Sequence, residues 1–171
     1  MAILGFAHPA IVVPDIEKAR EFYEKMFGFK AIAHEDWERG NEFFDLATGV
    51  ESTSARGYIL KGHNCYLELF QYLSPWQEGP KPGSLGAHEQ GIRHLAFYVD
   101  DIFAEYKRLK DLGGTHMNPP VGDKKQGYIS YCRDPFGNII ELTTIGGPAR
   151  PLTELDGVSS NGNYCGTDGL T

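Results

Sequence analysis

Apolar residues recur along this chain at two spacings, and together they predict the same run of elements twice. Near the start, Ile11 and Val13 alternate with His8, Ala10 and Val12, the period of a half-buried strand. Phe22, Tyr23, Met26 and Phe27 then fall at helical spacing, which predicts a helix over 17–27. Asp15 stands where its N-cap belongs, and Gly28 supplies the left-handed stop. In the second half, Leu95, Phe97 and Val99 oppose His94, Ala96 and Tyr98. Asp101 follows as a cap, a stripe of Phe103, Tyr106, Leu109 and Leu112 marks a helix over 103–112, and Gly113-Gly114 ends it. Shorter strand patterns follow each helix, at 29–34, 56–61 and 65–72, then at 115–118, 127–133 and 138–144. The stretch 41–47 fits either a further strand or a loop elaboration.

Aligned with itself, the chain reads His8-Pro-Ala-Ile-Val-Val-Pro-Asp-Ile against His94-Leu-Ala-Phe-Tyr-Val-Asp-Asp-Ile. In both copies a histidine in an apolar strand is followed seven residues later by Asp and then Ile. The pattern predicts an α+β fold of two βαβββ modules, over 1–73 and 91–145. A Pro- and Gly-rich linker joins them over 74–90. The tail, 146–171, is rich in Gly, Ser, Thr and Asn, and reads as a flexible terminus or as an arm or lid.

Composition narrows the class. Asp and Glu number 23 against 16 Lys and Arg, a formal charge of −7 that disfavours nucleic acid and anionic membranes as partners. No apolar run approaches the roughly 20 residues of a membrane span, and the first residues lack the basic start of a targeting signal. Cys65, Cys132 and Cys165 form no CxxC pair, which suits reduced thiols. A soluble cytoplasmic protein is expected.

Alternation then isolates four residues. Leu67 and Leu69 oppose Tyr66, Glu68 and Phe70; Ile140 and Leu142 oppose Ile139, Glu141 and Thr143. With the two histidine strands, each of four strands has one face fit to lie under a helix. The other face carries one ionisable group, His8, Glu68, His94 or Glu141, among apolar or aromatic neighbours. A lone carboxylate there would suffer several kcal/mol of desolvation. A divalent cation removes the difficulty, because two carboxylates and two neutral imidazoles cancel its charge. Tyr66, Phe70 and Tyr98 share the same faces and are candidates for the pocket wall, or else core aromatics. His34 and Tyr131 are weaker candidates for polar contacts. His63 is expected exposed in a turn, and Arg93 should point away from the ion by alternation.

The segments His8-Pro-Ala-Ile-Val-Val-Pro-Asp-Ile-Glu-Lys-Ala-Arg-Glu-Phe-Tyr, Tyr66-Leu-Glu-Leu-Phe, Gly91-Ile-Arg-His-Leu-Ala-Phe-Tyr-Val-Asp-Asp-Ile and Arg133-Asp-Pro-Phe-Gly-Asn-Ile-Ile-Glu-Leu resemble the vicinal oxygen chelate superfamily. That superfamily includes glyoxalase I, methylmalonyl-CoA epimerase, extradiol dioxygenases, and the fosfomycin and bleomycin resistance proteins. The resemblance covers about residues 3–145. It implies curved sheets around a metal-containing cleft, a ligand from the first and last strand of each module, and a homodimer, sometimes with modules exchanged. The His8, Glu68, His94, Glu141 set matches the glyoxalase I pattern best.

The resemblance implies proton transfer next to a carbonyl, as in a glyoxalase-like lyase or an isomerase or epimerase. One divalent ion (Ni, Co, Zn, Mn or Fe) would polarise the oxygen of a small substrate. Glu141 or Glu68 would be the catalytic base, with Glu141 favoured by resemblance. An iron-dependent extradiol-type dioxygenase and a small-molecule-binding resistance protein are the alternatives. Two features depart from known members. There is no counterpart of the positive grip that glyoxalase I places on glutathione, and there is no second Glu near 58–60, Glu51 lying upstream in a loop.

Overall fold

The computed structural model describes residues 6–77, 80–146 and 152. The chain divides into two compact units, Met1–Gly79 and Pro80–Thr171, each an α+β module of the βαβββ kind. The first unit contains β1 (Ala10–Val12), α1 (Ile16–Phe27), β2 (Lys30–Trp37), α2 (Glu42–Thr48), β3 (Ser54–Lys61) and β4 (Tyr66–Ser74). The second contains a 3-10 turn (Pro82–Ser84), then β5 (His94–Tyr98), α3 (Ile102–Asp111), β6 (Thr115–His116), β7 (Val121–Asp123), β8 (Gly127–Arg133) and β9 (Ile139–Thr143). Among the described residues, no helix is long and apolar enough to cross a membrane.

Both sheets are mixed and share one strand plan. The first runs β1-β4-β3-β2 and the second β5-β9-β8-β6, with β7 also paired to β8. In each, the first strand lies parallel to the last, so the intervening helix must cross over one face. The crossover begins where sequence placed it. Asp15 accepts a hydrogen bond from the Lys18 amide at 3.1 Å, and Asp101 accepts from Phe103 and Ala104, each at 3.0 Å. Gly28 ends α1 at φ 69°, where its amide reaches the Glu24 carbonyl. The α1 stripe of Ile16, Ala19, Phe22, Tyr23 and Met26 is buried against its sheet together with Leu60, Leu67 and Leu69. Gln71 fixes the entry to α1, accepting from the Ile16 amide and donating to the Pro14 carbonyl.

Three expectations need correction. The stretch 41–47 is neither strand nor loop but begins a helix, α2. Its apolar residues lack a core-facing period, and none of its residues is buried, so the pattern carried no helical signal. Local chemistry makes the helix instead. Asn41 caps it, Gly49 at φ 69° closes it, and Phe44 stacks on Trp37 with ring centroids 4.2 Å apart. Asp45 then ties the helix to β3 by accepting from the Ser52 amide, the Thr53 amide and the Thr53 hydroxyl. Second, Phe103 does not join the α3 stripe. It is 57% exposed, with its ring edge-on to Tyr128, and Ile102 and Leu109 are the buried residues. The register of the caps explains this, because Phe103 follows Ile102 as Glu17 follows Ile16 and shares its outward direction. Third, β7 is an added strand that the sequence pattern did not show.

The motif Arg133-Asp-Pro-Phe-Gly-Asn builds the turn into β9. Asp134, only 2% exposed, accepts from the amides of Phe136 and Asn138 and from the Asn138 side chain. Arg133 donates to the carbonyls of Pro82, Leu85 and Gly137, fastening the stretch before β5 over this turn. Gly137, at φ 96°, lies so close to the Gly83 backbone that a Cβ would collide with it. Of the cysteines, Cys65 is exposed and Cys132 buried, both free; Cys165 and almost all of the expected tail lie outside the described residues.

Candidate metal centre

The sheet face opposite each helix carries the residues singled out from the sequence. In β4, Leu67 and Leu69 are buried under α1, while Tyr66, Glu68 and Phe70 point the other way. In β9, Ile140 and Leu142 are buried and Glu141 is half-buried. His8 lies just before β1, where the Pro9 carbonyl accepts from the Glu68 amide at 3.0 Å. His94 opens β5.

The two modules then repeat one constellation. Ala10 pairs with Glu68, and Ala96 pairs with Glu141. In each case the alanine stands two residues after the histidine, on the same face, so imidazole and carboxylate meet. The His8 Nε2 to Glu68 Oε2 distance is 3.1 Å, and the His94 Nε2 to Glu141 Oε2 distance is also 3.1 Å. The carboxylates are the less exposed partners, at 20% for Glu68 and 15% for Glu141. Two ligands bound about 2.1 Å from one ion at a right angle would stand about 3.0 Å apart, so each pair has a spacing that adjacent ligands would show. Each module supplies two donors. Among the described residues, no group of three or more His, Cys, Asp or Glu side chains comes together to hold a metal.

Tyrosines register the negative charge on these faces. Burial pushes the Tyr131 phenol up, and the charge of the neighbouring Glu141 carboxylate pushes it further. Burial raises Tyr72 too, with the Glu68 charge adding to it. Tyr131 was a weak candidate in the sequence. It stands directly across from Glu141 in the β8–β9 ladder, with its ring 5.2 Å from the His94 ring. Only the strand register brings it to Glu141. Tyr72 continues the Tyr66, Glu68, Phe70 alternation in β4 but was not singled out from the sequence.

Other candidates are distributed differently. Tyr66 lines a hollow of about 550 Å³ with His8, Ile32, Ile59, Lys61 and His63. Tyr98 lines one of about 400 Å³ with Ala96, Glu141, Tyr128 and Thr143. Phe70 instead packs its ring against Trp37 and Tyr72, filling the space left by Gly57. His34 pairs with Tyr58, whose hydroxyl donates to Glu17 of α1, so His34 belongs to the helix side and not to the carboxylate face. A bulge between Ala31 and Ala33 in β2 shifts the alternation there. His63 is exposed, as its turn position suggested. The Arg93 Nε is buried without a hydrogen-bond partner among the described residues.

Two mixed βαβββ sheets, each with a His–Glu pair at its first and last strand, define a class of fold and site that can be tested against known proteins. The model of the Glyoxalase/Bleomycin resistance protein/Dioxygenase superfamily matches residues 5–142, and the chain belongs to that family. A probable lactoylglutathione lyase from Synechocystis is 31% identical over 137 residues, covering 79% of this chain and 91% of that protein. A 2-epi-5-epi-valiolone epimerase from Actinomyces is 27% identical over 161 residues, 86% of this chain and 84% of that protein. Among solved structures, a glyoxalase family protein from Bacillus cereus superposes with a TM-score of 0.78 at 21% identity, covering 86% of this chain and 97% of that one. The fosfomycin resistance protein FosX from Listeria monocytogenes, solved with Mn(II) and sulfate, gives 0.56 at 18% identity over 87% and 98%. These structural likenesses concern the fold. Family membership supports a metal-dependent activity on small oxygen-bearing molecules.

Proposed function

We propose that His8, Glu68, His94 and Glu141 hold one divalent metal ion, and that the protein transfers a proton next to a carbonyl of a small organic substrate. The observation that carries this is the repetition: the same imidazole and carboxylate meet at the same register, at the same 3.1 Å, in both modules. The pair recurs although most other residues on these strands differ between the repeats, which favours a shared role such as paired ligation. A bound ion would act as a Lewis acid toward a substrate oxygen. The chain's own residues do the rest. The four side chains supply donors of types suited to Ni, Co, Zn, Mn or Fe. Glu141, at the edge of the second hollow, takes the proton from the carbon beside the carbonyl. Tyr66 and Tyr98 each line the hollow of their own module and are the candidates for contact with the substrate. A lyase and an epimerase among the relatives are both compatible with this reading.

The test is metal analysis of protein purified without chelators, joined to solvent-deuterium exchange into carbonyl substrates. Nickel, cobalt, zinc or manganese with exchange supports the reading; iron with oxygen uptake overturns it in favour of a dioxygenase. Glu141→Gln and Glu68→Gln should each lower turnover by about 100-fold or more, with the far-UV circular dichroism unchanged. Full turnover in both variants would sink the assignment. Association as a homodimer belongs to the same proposal and is measured by light scattering.

A further inference from the structure

We propose that Lys61, with Lys30 beside it, binds a carboxylate or phosphate group in the hollow of the first module, so that the substrate is a small anion. The inference deepens the reading above by naming the class of substrate, and rests on it for the chemistry. Strand register builds the site. Ile59 and Lys61 of β3 face Glu68 and Tyr66 of β4, while Leu60 between them is buried on the helix side. Lys61 therefore stands on the face of the His8–Glu68 pair. It lines the hollow of about 550 Å³ together with His8, Tyr66, Ile59 and Ile32. On its other side Lys61 faces Lys30 of β2.

Like charges directly opposite each other weaken a ladder. Among the described residues neither ammonium has an ion-pair or hydrogen-bond partner, although the chain holds 23 acidic residues against 16 basic ones. Glu68, one diagonal step from Lys61, is engaged by His8. A lysine on an edge strand guards against stray pairing, and β2 is such a strand; β3 lies inside the sheet, so edge protection does not account for Lys61. The second module is an internal control. Arg133 holds the position of Lys61, two residues beyond the one that faces the carboxylate, and Thr115 opposes it in place of a second cation. Its guanidinium is committed to the carbonyls of Pro82, Leu85 and Gly137. One module uses its cation to build a turn, and the other leaves two cations uncompensated beside a hollow with apolar walls. An ammonium is a point charge suited to carboxylate or phosphate, and walls of low polarity concentrate its field. A bound anion would also relieve the repulsion between the two lysines.

Inorganic phosphate and succinate are the probes, titrated calorimetrically into the full-length protein as purified and again after chelation and removal of metal. The expected result is saturable binding in both preparations, weakened about tenfold by Lys61→Met, less by Lys30→Met, and largely kept by Lys61→Arg. The tighter of the two probes identifies the group as phosphate or carboxylate. Without anion, the melting temperature of Lys61→Met should hold or rise, because the variant removes the opposed charges. Wild-type protein that binds neither probe, or equal affinity in Lys61→Met, would overturn the proposal. Binding lost on chelation would do the same, since it would place the anion on a metal and not on Lys61. So would a lower melting temperature shared by Lys61→Met and Lys61→Arg, which would make Lys61 a packing residue. Protein that takes up no metal but still binds the anion through Lys61 gives a separate pattern, and would defeat the metal reading alone.

Discussion

Asp45 shows how much one carboxylate can organise. It accepts two amide hydrogens and one hydroxyl from Ser52 and Thr53, while the Thr53 hydroxyl also receives the Trp37 indole N–H at 2.9 Å. Those bonds favour the charged form, with the Thr53 hydroxyl foremost, and hold Asp45 below its usual range. A depressed folded value means stability that is present above the unfolded value and lost as pH falls through the folded one. Asp45→Asn should therefore lower the melting temperature at pH 7, and the gap to wild type should close as acid protonates Asp45 below its ordinary value of 3.8. Melting curves across that range check it; a gap constant with pH would show the carboxylate's charge to be irrelevant. Residues whose placement depends on alternation alone were legible in the sequence: His8, Glu68, His94 and Glu141 stood out because each interrupts an apolar face, and they meet as two pairs. The partners of Tyr131 and His34 were not, because strand register and the β2 bulge fix them, and neither is written in a two-residue period.

Elements follow the same division. Both crossover helices were readable because cap, stripe and stop agree, and the structure returns Asp15, Asp101 and the glycine stops in those roles. The helix α2 was not, since its stability comes from Phe44 on Trp37 and from Asp45, contacts with no periodic trace. The caps give a measurable contrast. Asp101 accepts two amide hydrogens and Asp15 accepts one. Asp101→Ala should cost about 1 kcal/mol, read as a lower urea midpoint at unchanged slope, and Asp15→Ala somewhat less. Equal losses would mean that the second amide bond at Asp101 contributes nothing.

At the scale of the whole molecule, the question is how many ions the chain binds. Each module offers one imidazole and one carboxylate, two donors where a divalent transition metal takes four or more. Separate ions at each pair would be weakly held and would leave a net charge on every site. If one ion uses both pairs, as proposed, coordination number and charge would be satisfied together, and the ion would couple the modules energetically. Calorimetry should therefore find one ion per chain, and His8→Ala and His94→Ala should weaken it alike, since each removes one of four ligands. Two independent sites would give two ions per chain, falling to one in either variant. The coupling has a thermal counterpart. Metal at about 100 times its dissociation constant should stabilise the fold by about 2.7 kcal/mol, and that gain should shrink in both histidine variants, not in one alone. A gain lost only with His94 would assign the ion to the second module and leave His8 and Glu68 as a structural pair.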